Sequence, residues 1–139
     1  MRLHAEARLC SGCRSCEVVC SLRHEAMVQP REARLRVEKE EERGLDTPVV
    51  CLQCDDAPCA AACPVECIRR SPAGVWLVDE EQCTGCGACV HACEWKMIRR
   101  HGQRGVAVKC DMCGGTPECV AVCQLQALRL EATAERVAP

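Results

Sequence analysis

The chain has 139 residues with 18 Lys and Arg against 20 Asp and Glu, a formal charge of -2, which is the size of one ordinary domain. Seventeen residues are Cys, Phe and Tyr are absent, and Leu, Ile and Val together number only 27, just under the roughly 20% aliphatic level below which burial struggles to offset chain entropy. Near-neutral charge without a basic stripe gives no support for nucleic acid as a partner, and none is expected; no apolar run approaches the roughly 18 residues of a membrane span.

The start, from Met1 to Cys10, has no uninterrupted apolar segment of the signal-peptide kind. The expectation is a soluble, cytoplasmic protein, in which thiols stay reduced and abundant Cys means metal before disulfide. In chain order, Leu3, Ala5, Ala7 and Leu9 alternate with His4, Glu6 and Arg8, a strand pattern. A first cysteine set follows, Cys10, Cys13, Cys16 and Cys20 (C-x2-C-x2-C-x3-C). The linker from Ser21 to Val50 holds a period-2 stretch at Ala33, Leu35 and Val37. The second set is Cys51, Cys54, Cys59 and Cys63 (C-x2-C-x4-C-x3-C-P). Cys67 to Arg70, Ser71 to Gly74 and Val75 to Val78 then read as strand, turn, strand. The third set, Cys83, Cys86, Cys89 and Cys93, repeats the spacing of the first. Met97 to Arg100 and Val106 to Val108 flank His101 to Gly105 as a further short hairpin. The fourth set is Cys110, Cys113, Cys119 and Cys123 (C-x2-C-x5-C-x3-C), and Leu128 and Leu130 then alternate with Arg129 and Glu131.

Sixteen of the seventeen cysteines therefore form an internal repeat. Three thiolates so close in sequence can wrap a turn of backbone around one face of a 4Fe-4S cubane, with N–H groups aimed at sulfur. Gly12, Gly85, Gly87, Gly114 and Gly115 lie between ligand positions, where the chain must turn sharply. The fourth Cys, one helical turn beyond the third, can reach a second cluster, the crossed arrangement of two-cluster ferredoxins. Zinc held by four thiolates is the bland alternative, but four repeats with a third close ligand and a closing x3-C favour iron and sulfur. Cys67 is the one left over and reads as a small buried apolar residue.

The hairpin between the second and third sets joins them into one module, and the matching terminal strands join the first and fourth into another. The fold expected is α+β, one domain over residues 1–139: two ferredoxin-like modules, one inserted in the other, with small antiparallel sheets and one-turn helices around four 4Fe-4S clusters. The outer module takes residues 1–47 and 101–139, the inner one 48–100. With the crossed rule, the outer ligand sets are Cys10, Cys13, Cys16 with Cys123, and Cys110, Cys113, Cys119 with Cys20. The inner sets are Cys51, Cys54, Cys59 with Cys93, and Cys83, Cys86, Cys89 with Cys63. Four oxidised clusters at -2 each would take the chain from -2 to about -10. Potentials should then respond to backbone N–H groups and to neighbouring cations such as Lys96 and Lys109, each of which could equally be a solvated surface charge.

His4, His24, His91 and His101 show no metal-ligand spacing, and Trp76 and Trp95 read as packing or contact residues. With no catalytic triad, phosphate loop or nucleotide fingerprint, the chain is expected to be no enzyme by itself.

On these motifs the chain resembles the four-cluster ferredoxin-like electron-transfer subunits typified by dimethyl sulfoxide reductase iron-sulfur subunits. Cys10 to Glu25 and Cys110 to Cys119 look most like the small iron-sulfur subunits of tungsten-containing aldehyde oxidoreductases. The resemblance implies the same crossed pairing, a linear path of clusters, an anaerobic setting, and a large catalytic subunit with a tungsten or molybdenum pterin cofactor. A soluble ferredoxin or a flavin/NAD-linked subunit would stand at the other end. Ser21, Glu94 and Gln124 replace the proline that often follows the fourth Cys, so only Pro64 keeps it. A free-standing polyferredoxin and a zinc-stabilised interaction module are the competing readings, and end-to-end self-association is compatible with either redox reading.

Overall fold

The computed structural model describes residues 2–131; the part of the expected outer module at residues 1 and 132–139 lies outside them. The described chain is built from short helices and four two-stranded antiparallel sheets, a ferredoxin-like set of elements. Strand β1 (Arg2–Ala5) pairs with β8 (Leu128–Glu131), setting Leu3 opposite Leu130 and Ala5 opposite Leu128. The two chain ends thus close on each other, with Leu3 and Leu128 buried beneath the pair. The alternation at Ala7 and Leu9 does not prolong β1. The Glu6 carboxylate accepts from the Arg8 N–H at 3.4 Å, and a 3-10 turn over Ala7–Leu9 leaves Leu9 exposed, a local side-chain bond outcompeting the ladder.

Helix α1 (Ser15–Glu25) corrects the expectation of one-turn helices: it runs for 11 residues. The reason lies at Ser21, directly after the fourth Cys of the first set. A proline there would break the helix. Ser21 instead sits fully buried inside it, its hydroxyl donating to the Val18 carbonyl at 2.9 Å and accepting from the Gln29 N–H at 3.1 Å. The other helices, α2 (Pro58–Ala61), α3 (Ala88–Ala92) and α4 (Glu118–Val122), are single turns.

Of the period-2 stretch only Val37 falls in strand β2 (Arg36–Glu40); Ala33 and Leu35 lie just before it, and all three are buried. Strand β2 pairs with β3 (Leu45–Val49), an element without a clean sequence signal because Asp46 and Pro48 interrupt it. Pro48, opposite Val37, is tolerated because both strands of a two-stranded sheet are edges. The expected hairpins form as β4 (Ile68–Arg70) with β5 (Trp76–Val78), and as β6 (Arg99–Arg100) with β7 (Ala107–Val108), the last shorter than its pattern.

Three of the four cysteine sets end in one repeated unit. Glu66, Lys96 and Gln126, each three residues past the fourth Cys, take left-handed φ values of 51°, 50° and 54°. Their N–H groups return to the carbonyls of Cys63, Cys93 and Cys123 at 3.2, 3.0 and 3.0 Å. Each turn then feeds a buried pair into a strand: Cys67 and Ile68, Met97 and Ile98, Ala127 and Leu128. The turn therefore forms at Glu94 and Gln124 without the proline that Pro64 supplies. Cys67, 2% exposed, occupies the seat that Met97 and Ala127 hold in the other copies, a packing position.

Buried residues fall into two groups. One draws on Leu3, Leu35, Val37, Val50, Val75, Met112 and Leu128 with Cys16, Cys20 and Cys119; the other on Ala57, Ile68, Ile98 and Ala107 with Cys59, Cys67 and Cys89. Polar ties cross from the end of α1 and the turn after it to the 99–104 segment. Arg99 pairs with Glu32 at 2.6 Å, and His101, buried, faces Glu25 at 3.0 Å.

Candidate metal centres

Among the described residues four cavities hold the cysteine side chains, two lined by four and two by five, each drawing on more than one stretch of chain. The first is lined by Cys10, Cys13, Cys16 and Cys123. The second has Cys20, Cys110, Cys113 and Cys119, with Cys51 as a fifth. The third has Cys51, Cys54, Cys59 and Cys93. The fourth has Cys63, Cys83, Cys86 and Cys89, with Cys67 as a fifth thiol. All seventeen thiols are free of disulfides, and Cys13 and Cys86 reach the surface.

Local backbone explains the convergence. The single-turn helices carry the third Cys of a set, and the chain leaves each helix at or next to the fourth, which faces the neighbouring cavity. Gly85, at φ +70°, packs so closely on the Gly105 carbonyl that a Cβ would collide with it. That contact holds the Cys83 to Cys86 loop against the turn before β7. One backbone N–H is aimed at sulfur in every cavity: Gly12 to Cys10 Sγ at 3.5 Å, Arg34 to Cys20 Sγ at 3.2 Å, Met97 to Cys93 Sγ at 3.4 Å, and Ala107 to Cys83 Sγ at 3.3 Å. Donors so placed stabilise negative charge on sulfur.

The more enclosed thiols are electrostatically frustrated as they stand, whereas hydrogen bonds from Ser15 lower the exposed Cys13. Burial, reinforced by Glu17, pushes Cys16 up to about 11, and burial with the charges of Cys83 and Cys63 pushes Cys89 up to about 11. Burial drives Cys110 up to about 12 and carries Cys119 well above the ordinary thiol range. A donor set of this kind, thiols crowded together with at least one buried in every cavity, fits a cationic inorganic centre, which offsets the repulsion and takes the thiolates as ligands. The same couplings order the cavities. Cys119 feels Cys16, Cys110 feels Cys51, and Cys89 feels Cys59, so first borders second, second borders third, and third borders fourth.

Sequence reasoning named Lys96 and Lys109 but not the other polar contacts that surround these sites, because each is assembled from distant segments. Glu17, buried, accepts from the Val37 N–H at 2.7 Å and ties α1 to β2 beside the first cavity. His24 lies 3.6 Å from Asp111 and 4.0 Å from Cys113 Sγ, and burial lowers its basicity. Arg34 reaches Asp111 at 3.0 Å and Glu80 at 3.6 Å. Lys109 is buried at the third cavity, whereas Lys96 is exposed. Trp76 donates its indole N–H to the Cys54 carbonyl at 2.8 Å, while Trp95 stands 53% exposed and His91 lies on the surface of α3. No helix among the described residues is long and apolar enough to cross a membrane.

Comparison with known proteins agrees with this chemistry. Residues 42–133 match the model of a family described as a 4Fe-4S dicluster domain. Over 82 residues the chain is 48% identical to the polyferredoxin-like subunit of an aliphatic sulfonate oxidoreductase of Pyrococcus furiosus, covering 58% of this chain and 47% of that one. Over 91 residues it is 38% identical to the electron transport protein HydN of Escherichia coli, covering 62% and 51%. The match thus spans about half the length of these curated relatives. Among solved structures, a chain of the active site complex BamBC of benzoyl coenzyme A reductase, in complex with benzoyl-CoA, superposes with a TM-score of 0.53 at 27% identity. It covers 91% of this chain and 76% of that one.

Proposed function

The chain belongs to the 4Fe-4S dicluster domain family, and from that premise we propose that it is an electron-transfer subunit holding four 4Fe-4S clusters. The observation that carries the reading is that each of four cavities brings together three cysteines of one set and the fourth of another, with Cys67 and Cys51 as a fifth in two of them. The family match is to a dicluster domain and starts after the first set, so the count of four rests on the cavities and not on the match. We assign Cys10, Cys13, Cys16 and Cys123 to the first cluster, and Cys110, Cys113, Cys119 and Cys20 to the second. Cys51, Cys54, Cys59 and Cys93 hold the third, and Cys83, Cys86, Cys89 and Cys63 the fourth. The first two belong to an outer module closed by β1 and β8, the others to an inner module inserted within it. Support for that nesting comes from the buried residues, most of which group by module, although Val50 and Val75 of the inner stretch pack with the outer group and Ala107 of the outer stretch with the inner one.

When bound, each cluster supplies the one-electron chemistry. The residues of this chain do the rest. Sixteen thiolates ligate, N–H donors at Gly12, Arg34, Ala107 and Met97 stabilise sulfur charge, and the cavity order sets a path from the Cys13 loop to the Cys86 loop. Those two loops, exposed at the ends, are where electrons enter and leave. The partner we propose is a catalytic subunit with a tungsten or molybdenum pterin, an aldehyde oxidoreductase in the first instance, with a ferredoxin or a flavin/NAD-linked protein at the opposite end. Support comes from the sequence resemblance over 10–25 and 110–119, and from relatives named as oxidoreductase subunits and electron carriers. The test is anaerobic purification from the native cell. A brown chain that bleaches on reduction and elutes with a larger catalytic subunit meets the proposal; a brown chain that elutes alone makes it a free-standing carrier, and a colourless zinc protein refutes it.

A further inference from the structure

Lys109 is 3% exposed. Its Nζ donates to the Trp76 carbonyl at 2.7 Å, to Gln53 Oε1 at 3.2 Å and to the Cys110 carbonyl at 3.3 Å. Three oxygen acceptors around one nitrogen use all three protons of an ammonium, so the geometry is that of the charged form. Every one of those acceptors is neutral, and among the described residues no carboxylate forms an ion pair with it. Gln53 is itself buried and built in: its Nε2 donates to the Cys110 carbonyl at 2.8 Å, and its Oε1 also accepts from the Trp76 N–H at 3.0 Å. The fold therefore holds a dehydrated cation without an anion, an arrangement that is costly unless negative charge stands nearby.

The place of that charge is specific. Lys109 lines the third cavity, and its side chain is bonded to the backbone of Cys110, which lines the second. It favours the charged form of both Cys59 and Cys110, one thiol from each. The other cation beside the second cavity, Arg34, is already matched by Asp111 and Glu80. Lys96, the alternative in sequence, is exposed.

Resting on the four-cluster reading above, we propose that Lys109 is a fixed buried counter-charge shared by the two central cluster sites. It makes those two easier to reduce than they would otherwise be and leaves the terminal sites near Cys13 and Cys86 largely untouched. The junction between outer and inner modules then favours an electron, so that both halves of the path lead toward a common middle.

The experiment is a redox titration of the anaerobic holoprotein followed by electron paramagnetic resonance, comparing wild type with Lys109→Gln, Lys109→Arg and Gln53→Glu. Lys109→Gln removes the charge. Gln53→Glu keeps the lysine and sets a carboxylate against it, which serves as the deciding variant if Lys109→Gln does not hold clusters. In either variant, two of the four potentials should fall by at least tenfold in the reduction equilibrium, 59 mV for one electron. Lys109→Arg should keep them within that tenfold. Equal shifts at all four clusters, or no shift in either charge-altering variant, overturn the proposal. Wild-type protein that binds fewer than four clusters defeats the underlying four-cluster reading instead, before any variant is compared.

Discussion

Gly85 and Gly87 give a paired test of how the ligand loops are held. Both glycines have left-handed φ, +70° and +81°, so alanine at either position incurs the left-handed penalty of about 1–2 kcal/mol. They differ in what a new Cβ meets. At Gly87 it finds open space, whereas at Gly85 it runs into the Gly105 carbonyl. Gly105 lies in the turn between β6 and β7, fixed by the His101 N–H to Val106 carbonyl bond at 2.8 Å and itself left-handed at φ +71°. The obstacle is backbone, so relief requires the turn to move. That displaces Ala107, whose N–H reaches Cys83 Sγ at 3.3 Å. Overpacking of this kind adds about 1–3 kcal/mol. Gly85→Ala should thus cost about 2–5 kcal/mol in all and Gly87→Ala only about 1–2 kcal/mol. After anaerobic reconstitution, Gly85→Ala is expected to lose the cluster of Cys63, Cys83, Cys86 and Cys89 and retain the other three, with a lowered unfolding temperature. Gly87→Ala should keep all four. Equal cluster content and equal unfolding temperatures for the two variants would refute the close-approach argument.

Other substitutions probe different parts of the account. Cys67→Ala should keep the full iron content, because Ala127 fills the corresponding seat in another repeat; Cys63→Ala should lose iron, and the two are compared by iron analysis per chain. Ile98→Ala opens a hole at a residue only 1% exposed and packed with Ile68, Cys67 and Ala107, and should destabilise the holoprotein by about 2–5 kcal/mol in denaturant unfolding. Ser21→Pro should cost about 3 kcal/mol or more by breaking α1 at its middle, visible as lost helical circular dichroism.

Much of the scaffold can be read from the chain, and the parts that cannot share a physical cause. Patterns that repeat at short range announce themselves. The alternation of Leu3 and Ala5 with Leu128 and Leu130 yields β1 and β8, and the Ser71 to Gly74 turn separates β4 from β5. Where one residue decides between two local outcomes, pattern misleads. The Glu6 side chain ends β1 early, and Ser21 in place of proline lets α1 run three turns. β3 escapes notice because Pro48 disrupts the strand signal while its pairing partner, β2, supplies the order. The surroundings of the cavities are least legible, since Glu17 with Val37, His24 with Asp111, and Lys109 with Gln53 and Trp76 meet only after the chain folds. Composition says that a cation near sulfur matters; only burial distinguishes Lys109 from Lys96.

The low aliphatic content and the raised thiols point to one conclusion: inorganic centres, by quenching thiolate repulsion, supply cohesion that side chains do not. The most direct test is the iron and acid-labile sulfide content of the anaerobically reconstituted chain, measured against protein by amino-acid analysis. Four iron atoms and four sulfides for each of four cavities are predicted. A folded chain saturating at half that content, or holding zinc without sulfide, would contradict the account.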